Sequence, residues 1–346
     1  MARIVIAGAG AVGASIAYHL ALLGADGVVL AERNTVASGA TGKAMGGFRQ
    51  QFSSAAEVRL AQESGKLFRE LGAPLFEAVG YLFLATSEDG WDALRARADM
   101  QRGLGVPVEE VDASRVRGLW TDDVTGAVAC WEDGVAEPAA ITAELVRRAL
   151  ERGVELREQT DARELPHDVL VVACGAASPE LVPELPIRPL CRQLVDVGPV
   201  PDLPDDLPMT VEDETTFHFR RRGDTLRLAM TEPVPRWTSE QVVDDALVAD
   251  CRARLAHRYP HAAGAPIVRA WAGLYDMTPD AHPVIGWAGD GTYVACGFSG
   301  HGFMQSPAVG SAVAHELLGL EPAVDLSPYR LERFADGAVF PETMVL

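Results

Sequence analysis

Arg3-Ile4-Val5-Ile6-Ala7-Gly8-Ala9-Gly10-Ala11-Val12-Gly13 is the stretch that decides the fold. Ile4 to Ala7 is a short apolar run of the kind that forms a buried parallel strand, and it passes directly into a G-x-G-x-x-G loop. Ser15 to Leu23 reads as a helix closed by Gly24, and Val28-Val29-Leu30-Ala31 as a second apolar strand ending at Glu32. Each glycine has its own mechanical role, since Gly8 makes the turn, Gly10 lets backbone N–H groups reach a pyrophosphate, and Gly13 removes the Cβ between helix and strand. The anion then rests on a helix N-terminus, where unpaired N–H groups and the helix dipole favour negative charge. Glu32 stands roughly 20 residues beyond the loop, where a carboxylate meets an adenosine ribose. The unit predicts a dinucleotide and leaves NAD and FAD open, because both use it.

Composition bounds the rest. A chain of 346 residues accommodates two domains or one large one. A net charge of −19 argues against nucleic acid and anionic membrane surfaces as partners. The five cysteines, Cys130, Cys174, Cys191, Cys251 and Cys296, form no C-x-x-C pair, so neither a metal site nor a disulfide framework is expected. No run approaches the roughly 18 apolar residues needed to cross a bilayer. The apolar Ala11–Leu23 follows a glycine loop and contains His19, which is not signal-peptide grammar. The expected compartment is a reducing cytoplasm.

Beyond Glu32, Ser38-Gly39-Ala40-Thr41-Gly42-Lys43 and Met45-Gly46-Gly47-Phe48-Arg49-Gln50-Gln51-Phe52 are rich in small residues, which suits backbone passing close to a flat ligand. Helices are predicted over 57–71, 91–102, 140–152 and 244–258, and a strand over 81–85. Asp168 to Ala173 reads as a buried strand breaking at Cys174-Gly175. Proline-rich 183–208 reads as a crossover between domains, and 215–220 with 225–230 as a hairpin about Arg222-Gly223-Asp224. The strand Tyr293–Cys296 enters Gly297-Phe298-Ser299-Gly300-His301-Gly302-Phe303 and then the helix 306–318, a second strand–glycine–helix unit presenting a helix N-terminus.

These motifs, in this order and with Thr278-Pro279-Asp280, resemble the D-amino-acid oxidase superfamily of FAD-dependent oxidoreductases. The likeness is to the sarcosine oxidase, glycine oxidase and proline dehydrogenase branch, from residue 1 to about Phe334. The resemblance implies FAD and an α/β fold: a Rossmann-type, glutathione-reductase-like FAD-binding domain from 1–80, 137–186 and 265–346, interleaved with an antiparallel-sheet substrate domain from 81–136 and 187–264. Gly8, Gly10, Gly13, Glu32 and Arg33 would hold the ADP half. Ser38, Thr41, Gly42 and Lys43 would run beside the pyrophosphate and flavin, with Cys174 and Gly175 near the ribityl region. Gly300, His301, Gly302, Phe303 and Met304 would line the flavin's pyrimidine edge. Arg49 falls where relatives set a guanidinium against the substrate carboxylate.

Three departures qualify the likeness. Gly273 stands where some relatives carry the cysteine that bonds flavin, so FAD is expected to be non-covalent. Met304 replaces a lysine found after the His-Gly-Phe turn, and the span from Leu156 to Asp168 is short where relatives insert a β-meander. The implied activity is oxidation of the C–N bond of an amino acid or N-alkyl amino acid by hydride transfer, with O2 or another acceptor closing the cycle and no metal. Arg49, His218, Tyr275, His301 and Lys43 are the candidate catalytic residues; Lys43 is the one lysine placed to assist O2, and without it a dehydrogenase is expected. Phe217, Phe219, Trp237 and Trp271 are candidate pocket walls. The alternatives are a 2-hydroxy-acid or polyol dehydrogenase, a flavin-binding subunit needing a partner chain, and an NAD-linked dehydrogenase.

Overall fold

The structure, a computed structural model, describes residues 3–289 and 291–346. Ile4–Ala7 and Val28–Ala31 pair in parallel, in register from Ile4 opposite Val28 to Ala7 opposite Ala31. All eight side chains are buried, the pattern of strands covered on both faces. They lie inside a six-stranded sheet ordered Val284–Trp287, Thr292–Cys296, Val169–Val172, Ile4–Ala7, Val28–Ala31, Glu155–Arg157. Only Val284–Trp287 runs antiparallel. Helix Ala11–Leu22 packs on helices Pro138–Leu150 and Gly302–Leu317 over this sheet. It begins at Ala11 rather than Ser15, because Gly10 is its N-cap and Gly13 already lies in its first turn.

A second, eight-stranded sheet is ordered Ile267–Met277, Arg188–Val197, Thr225–Ala229, His218–Arg222, Met209–Glu212, Tyr81–Ala85, Gly126–Cys130, Val108–Glu110. Its pairings are antiparallel except that of Met209–Glu212 with Tyr81–Ala85. The hairpin forms as expected between His218–Arg222 and Thr225–Ala229.

The proline-rich 183–208 is more than a crossover, which corrects the sequence reading. It contains the ten-residue strand Arg188–Val197, paired along the eleven-residue Ile267–Met277. Its prolines fall outside the strand except Pro189, near the strand's start, where a missing N–H is tolerated. Ile267–Met277, from a segment grouped by sequence with the FAD-binding part, is hydrogen-bonded into the eight-stranded sheet. A small third sheet of Gly47–Phe48, Gly134–Ala136 and Phe76–Glu77 bridges the loops between the two large ones. The main cavity opens past the carboxyl ends of Ile4–Ala7, Val28–Ala31 and Val169–Val172, the position ligands take in open parallel sheets.

The closest backbone approach in this arrangement is at Gly13, where an added Cβ would stand 1.9 Å from the Gly8 carbonyl oxygen. Gly13→Ala is expected to cost roughly 1–3 kcal/mol or more by overpacking, read as a lowered melting temperature. Gly103→Ala, whose Cβ meets nothing within 4 Å, is the matched control and should leave stability unchanged or raised.

Candidate active site

A cavity of about 540 Å³ runs between the two large sheets. Glu32 anchors one end: Oε2 accepts from the Ala9 N–H at 2.9 Å and Oε1 from the Asn34 N–H at 2.9 Å, so the glycine loop fixes the carboxylate. Beside it, Arg33 pairs with Glu180 at 2.7 Å in an exposed bridge that contributes little to stability. Helix Ala11–Leu22 has no side-chain cap at Gly10. Its Ala11 N–H donates to Thr41 Oγ1 at 3.0 Å, bringing the small-residue loop against the helix mouth. Ser38, Lys43 and Gly175 also line the cavity. Cys174 donates from Sγ to the Ala7 carbonyl at 3.2 Å, and burial pushes its thiol up to about 12, so it is not a nucleophile.

The turn Gly297–His301 delivers the second helix N-terminus. Gly300 takes φ +97°, and a Cβ there would fall 2.4 Å from the Tyr275 ring, so only glycine lets the turn close on that side chain. Helix Gly302–Leu317 follows with no capping side chain, leaving first-turn N–H groups free for an anion. Gly302, Phe303 and Met304 all line the cavity.

At the far end lie Arg49, His218, Tyr275 and His301. His218 Nδ1 is 2.7 Å from the Thr216 carbonyl, which can only accept, so Nδ1 carries hydrogen and Nε2 is the acceptor of the neutral ring. Burial pushes its pKa down to about 4, which keeps the ring neutral at pH 7. Burial also raises the Tyr275 phenol, whose hydroxyl donates to the Leu346 main-chain oxygen at 2.9 Å. His301 contacts the Met344 carbonyl through Nε2 at 3.2 Å; burial and then the Arg49 charge push its pKa down.

Arg49 is fully buried. Nη1 donates to the Gln51 carbonyl, Nη2 to the Met344 carbonyl at 2.5 Å, and Nε has no partner among the described residues. Its guanidinium carbon sits 4.1 Å from the Phe52 ring centroid. Among the described residues it has no ion-pair partner, and burial lowers its pKa. The loop is held by Gln50, whose N–H and side chain both donate to Asp133 at 2.9 Å, and by Gln51 Nε2, which donates to the Tyr81 carbonyl at 3.0 Å. Burial raises the Asp133 carboxyl to about 6.

Lys43 lines the cavity and donates from Nζ to Gln241 Oε1. A Cβ on Gly273 would lie 3.3 Å from the Lys43 Cβ, which puts these two positions face to face. Gly13 and Gly42 do not line the cavity: each backs onto a carbonyl, of Gly8 and Ala37 respectively, and shapes the wall from behind.

The aromatic walls expected from sequence are elsewhere. Phe217 and Phe219 alternate with His218 along their strand and so face the opposite side, in a core with Tyr259. Trp237 is exposed against Arg188, and Trp271 lies under Arg227 and Arg269 while donating to the Lys43 carbonyl. Tyr81, Met230, Asp276 and Leu346 line the cavity instead. Asp276 accepts from the Gly297 N–H at 2.7 Å, and burial raises its carboxyl to about 6. No local motif marks these four, which reach the cavity through long-range pairing.

An elongated cavity with a carboxylate at one end and two uncapped helix N-termini along it fits a dinucleotide cofactor. Residues 3–316 match the family model described as "DAO: FAD dependent oxidoreductase". The chain is 27% identical to glycine oxidase of Geobacillus kaustophilus (strain HTA426), covering 95% of this chain and 96% of that protein. It is 26% identical to the formaldehyde-forming 4-methylaminobutanoate oxidase of Paenarthrobacter nicotinovorans, over 96% of this chain but 46% of that protein, so it spans less than half of that relative. The crystal structure of L-proline dehydrogenase from P. horikoshii superposes with a TM-score of 0.91 at 25% identity, covering 98% of this chain and 99% of that one.

The buried His218 ring has a stability signature. Its pKa in the folded protein lies below the unfolded value of 6.5, so between pH 6.5 and about 4 the unfolded chain takes a proton that the folded one refuses. Stability is therefore lost as pH falls through that window. Asp133 and Asp276 shift in the opposite sense, so the difference between wild type and His218→Gln is the readout. Wild type should lose on the order of 2–3 kcal/mol relative to the variant between pH 7 and 4 in denaturant titrations, and a flat difference would show His218 to be hydrated.

Proposed function

Because the chain belongs to the DAO family of FAD-dependent oxidoreductases, we propose that it oxidises the C–N bond of an amino acid or N-alkyl amino acid to the imine. The observation that carries this reading is Arg49, a buried guanidinium without an ionic partner among the described residues, beside a neutral His218 in the cofactor cavity. A buried cation is costly unless an anion meets it, and a planar fork suits a carboxylate.

Glu32, Arg33, the Gly8–Gly13 loop, Ser38, Thr41 and the Cys174–Gly175 turn would hold the ADP half of FAD. Lys43, Gly273 and Gly300–Met304 would border the flavin, with Gly42 shaping the loop behind. When bound, FAD supplies the two-electron acceptor for the hydride that leaves the carbon next to nitrogen. The residues around it bind and orient. Arg49 takes the carboxylate, His218 Nε2 accepts an amine N–H, and the Tyr275 hydroxyl donates toward the substrate. His301 stays neutral and adds no competing charge. Fixing the reacting carbon in this way lowers the entropic part of the barrier.

With glycine at position 273 no thiol stands beside Lys43, which supports non-covalent FAD. We further assign the electron acceptor to O2, assisted by Lys43, or to another small oxidant. We read 1–80, 137–186 and 265–346 as the FAD-binding part and 81–136 and 187–264 as the substrate part, with Ile267–Met277 hydrogen-bonded into the sheet of the latter. No helix among the described residues is long and apolar enough to cross a membrane. The compartment we propose is a reducing cytoplasm, in keeping with five free cysteines.

Purified protein should be yellow, and L-, D- or N-methyl amino acids should bleach it without oxygen while hydroxy acids do not. Bleaching by hydroxy acids alone would replace this reading with a 2-hydroxy-acid dehydrogenase. Arg49→Gln should keep the flavin and raise KM for the amino acid by roughly 10- to 100-fold, the worth of charge-assisted hydrogen bonds.

A further inference from the structure

The Arg49 fork is not idle: the segment Phe340–Leu346 folds back into the cavity and takes its hydrogen bonds. The Phe340 ring stacks on His282 with centroids 4.0 Å apart, and its carbonyl lies 2.6 Å from His282 Nε2. The Glu342 N–H donates to the Asp280 carbonyl at 3.0 Å. Its carboxylate accepts from Ser53 Oγ at 2.5 Å and from the Met344 N–H at 2.8 Å. Burial works against that charge, but the Ser53 hydrogen bond and the Arg49 field outweigh it and hold the Glu342 pKa below the usual range. From this anchor the chain turns inward. The Met344 carbonyl receives Arg49 Nη2 at 2.5 Å and His301 Nε2 at 3.2 Å, while the Leu346 main-chain oxygen receives the Tyr275 hydroxyl at 2.9 Å.

Two main-chain oxygens of one short segment thus satisfy donors on Arg49 and Tyr275, both assigned to the substrate, and on His301 beside them. A carbonyl is a weaker partner for a guanidinium than a carboxylate is, so the segment can hold the fork between turnovers and still be displaced. We propose that 343–346 is an autoinhibitory strap, docked on Arg49 and Tyr275 as a stand-in for substrate and released when an amino-acid carboxylate takes the guanidinium. This rests on the reading of Arg49 as the carboxylate clamp. The strap lowers apparent substrate affinity by the fraction of molecules in which it is undocked. It also keeps a buried cation hydrogen-bonded in the absence of substrate, when leaving it bare would be costly.

The test uses the FAD-loaded protein and benzoate, a carboxylate without an oxidisable amine, titrated by its perturbation of the flavin spectrum. Two variants release the strap while leaving Arg49, His218, Tyr275 and His301 in place: Ser53→Ala, which weakens the anchor, and truncation after Glu342, which removes both main-chain oxygens while keeping the Glu342 charge near Arg49. Both should tighten benzoate binding, the truncation by about tenfold or more, and KM for the amino acid should fall in parallel. Introducing Arg49→Gln into the truncated protein should erase the gain. Unchanged or weaker benzoate binding in both variants, with a native flavin spectrum, overturns the strap and makes the segment a fixed wall. If the truncated protein does not fold, Ser53→Ala alone decides by the same criterion. If Arg49→Gln leaves benzoate affinity of the full chain unchanged, the clamp itself is wrong and the strap falls with it; if that variant weakens binding but strap release does nothing, only the strap fails.

Discussion

The close seating of helix Ala11–Leu22 on the strand Ile4–Ala7 is the constraint on which the rest depends. Gly13 lets the helix come so near that its first turn abuts the Gly8 carbonyl. That proximity opens an uncapped helix N-terminus beyond the strand ends and brings Thr41 within hydrogen-bonding reach of Ala11. It also lets Glu32, at the end of the neighbouring strand, fold back on the Ala9 N–H. The other wall repeats the device, with Gly297–His301 turning Thr292–Cys296 into helix Gly302–Leu317. Both helices then pack on each other in one core. Two electropositive helix ends held on one cavity by mutual burial make a cradle for a polyanionic cofactor.

A different balance governs the far end. Burying Arg49 without a carboxylate works against the fold, so the surrounding chain must over-determine it. Gln50 and Gln51 tie the loop to Asp133 and Tyr81, Phe52 offers its ring face, and carbonyls of Gln51 and Met344 accept from Nη1 and Nη2. The charge pattern extends to its neighbours: His218 and His301 remain neutral in a site that already holds the guanidinium groups of Arg49 and Arg192. A low-dielectric pocket with one guanidinium free of an ion pair among the described residues, a second, Arg192, neutralised by Glu232, and neutral imidazoles favours a ligand that brings its own carboxylate and an uncharged amine.

Elements whose local grammar is self-sufficient were legible in the chain. The strand–glycine–helix units at both ends, the 215–230 hairpin and the helices 57–71 and 244–258 appear where apolar period and turn residues put them. Their boundaries follow from caps such as Ser54, which accepts from the Glu57 N–H, and from Gly10. The strand within 183–208 was hidden because flanking prolines outweigh its alternation in a local reading, although its long partner Ile267–Met277 supplies the pairing that stabilises it. His218 and its aromatic neighbours could not be sorted without knowing which face of the sheet meets the cavity.

The cofactor class, the glycine-built cradle, the acid that ends the second strand and the small-residue loop that carries Arg49 are therefore written in the chain itself. Each of these depends on residues near one another in the chain and on backbone geometry that only certain residue types permit. Tertiary structure alone decided which side chains share the far end of the cavity. Tyr81, Asp276 and Leu346 arrive there from three distant segments, and Met344 reaches Arg49 across 295 positions. Such contacts carry no local signature, because burial and charge compensation are properties of the assembled cavity rather than of any stretch that contributes to it.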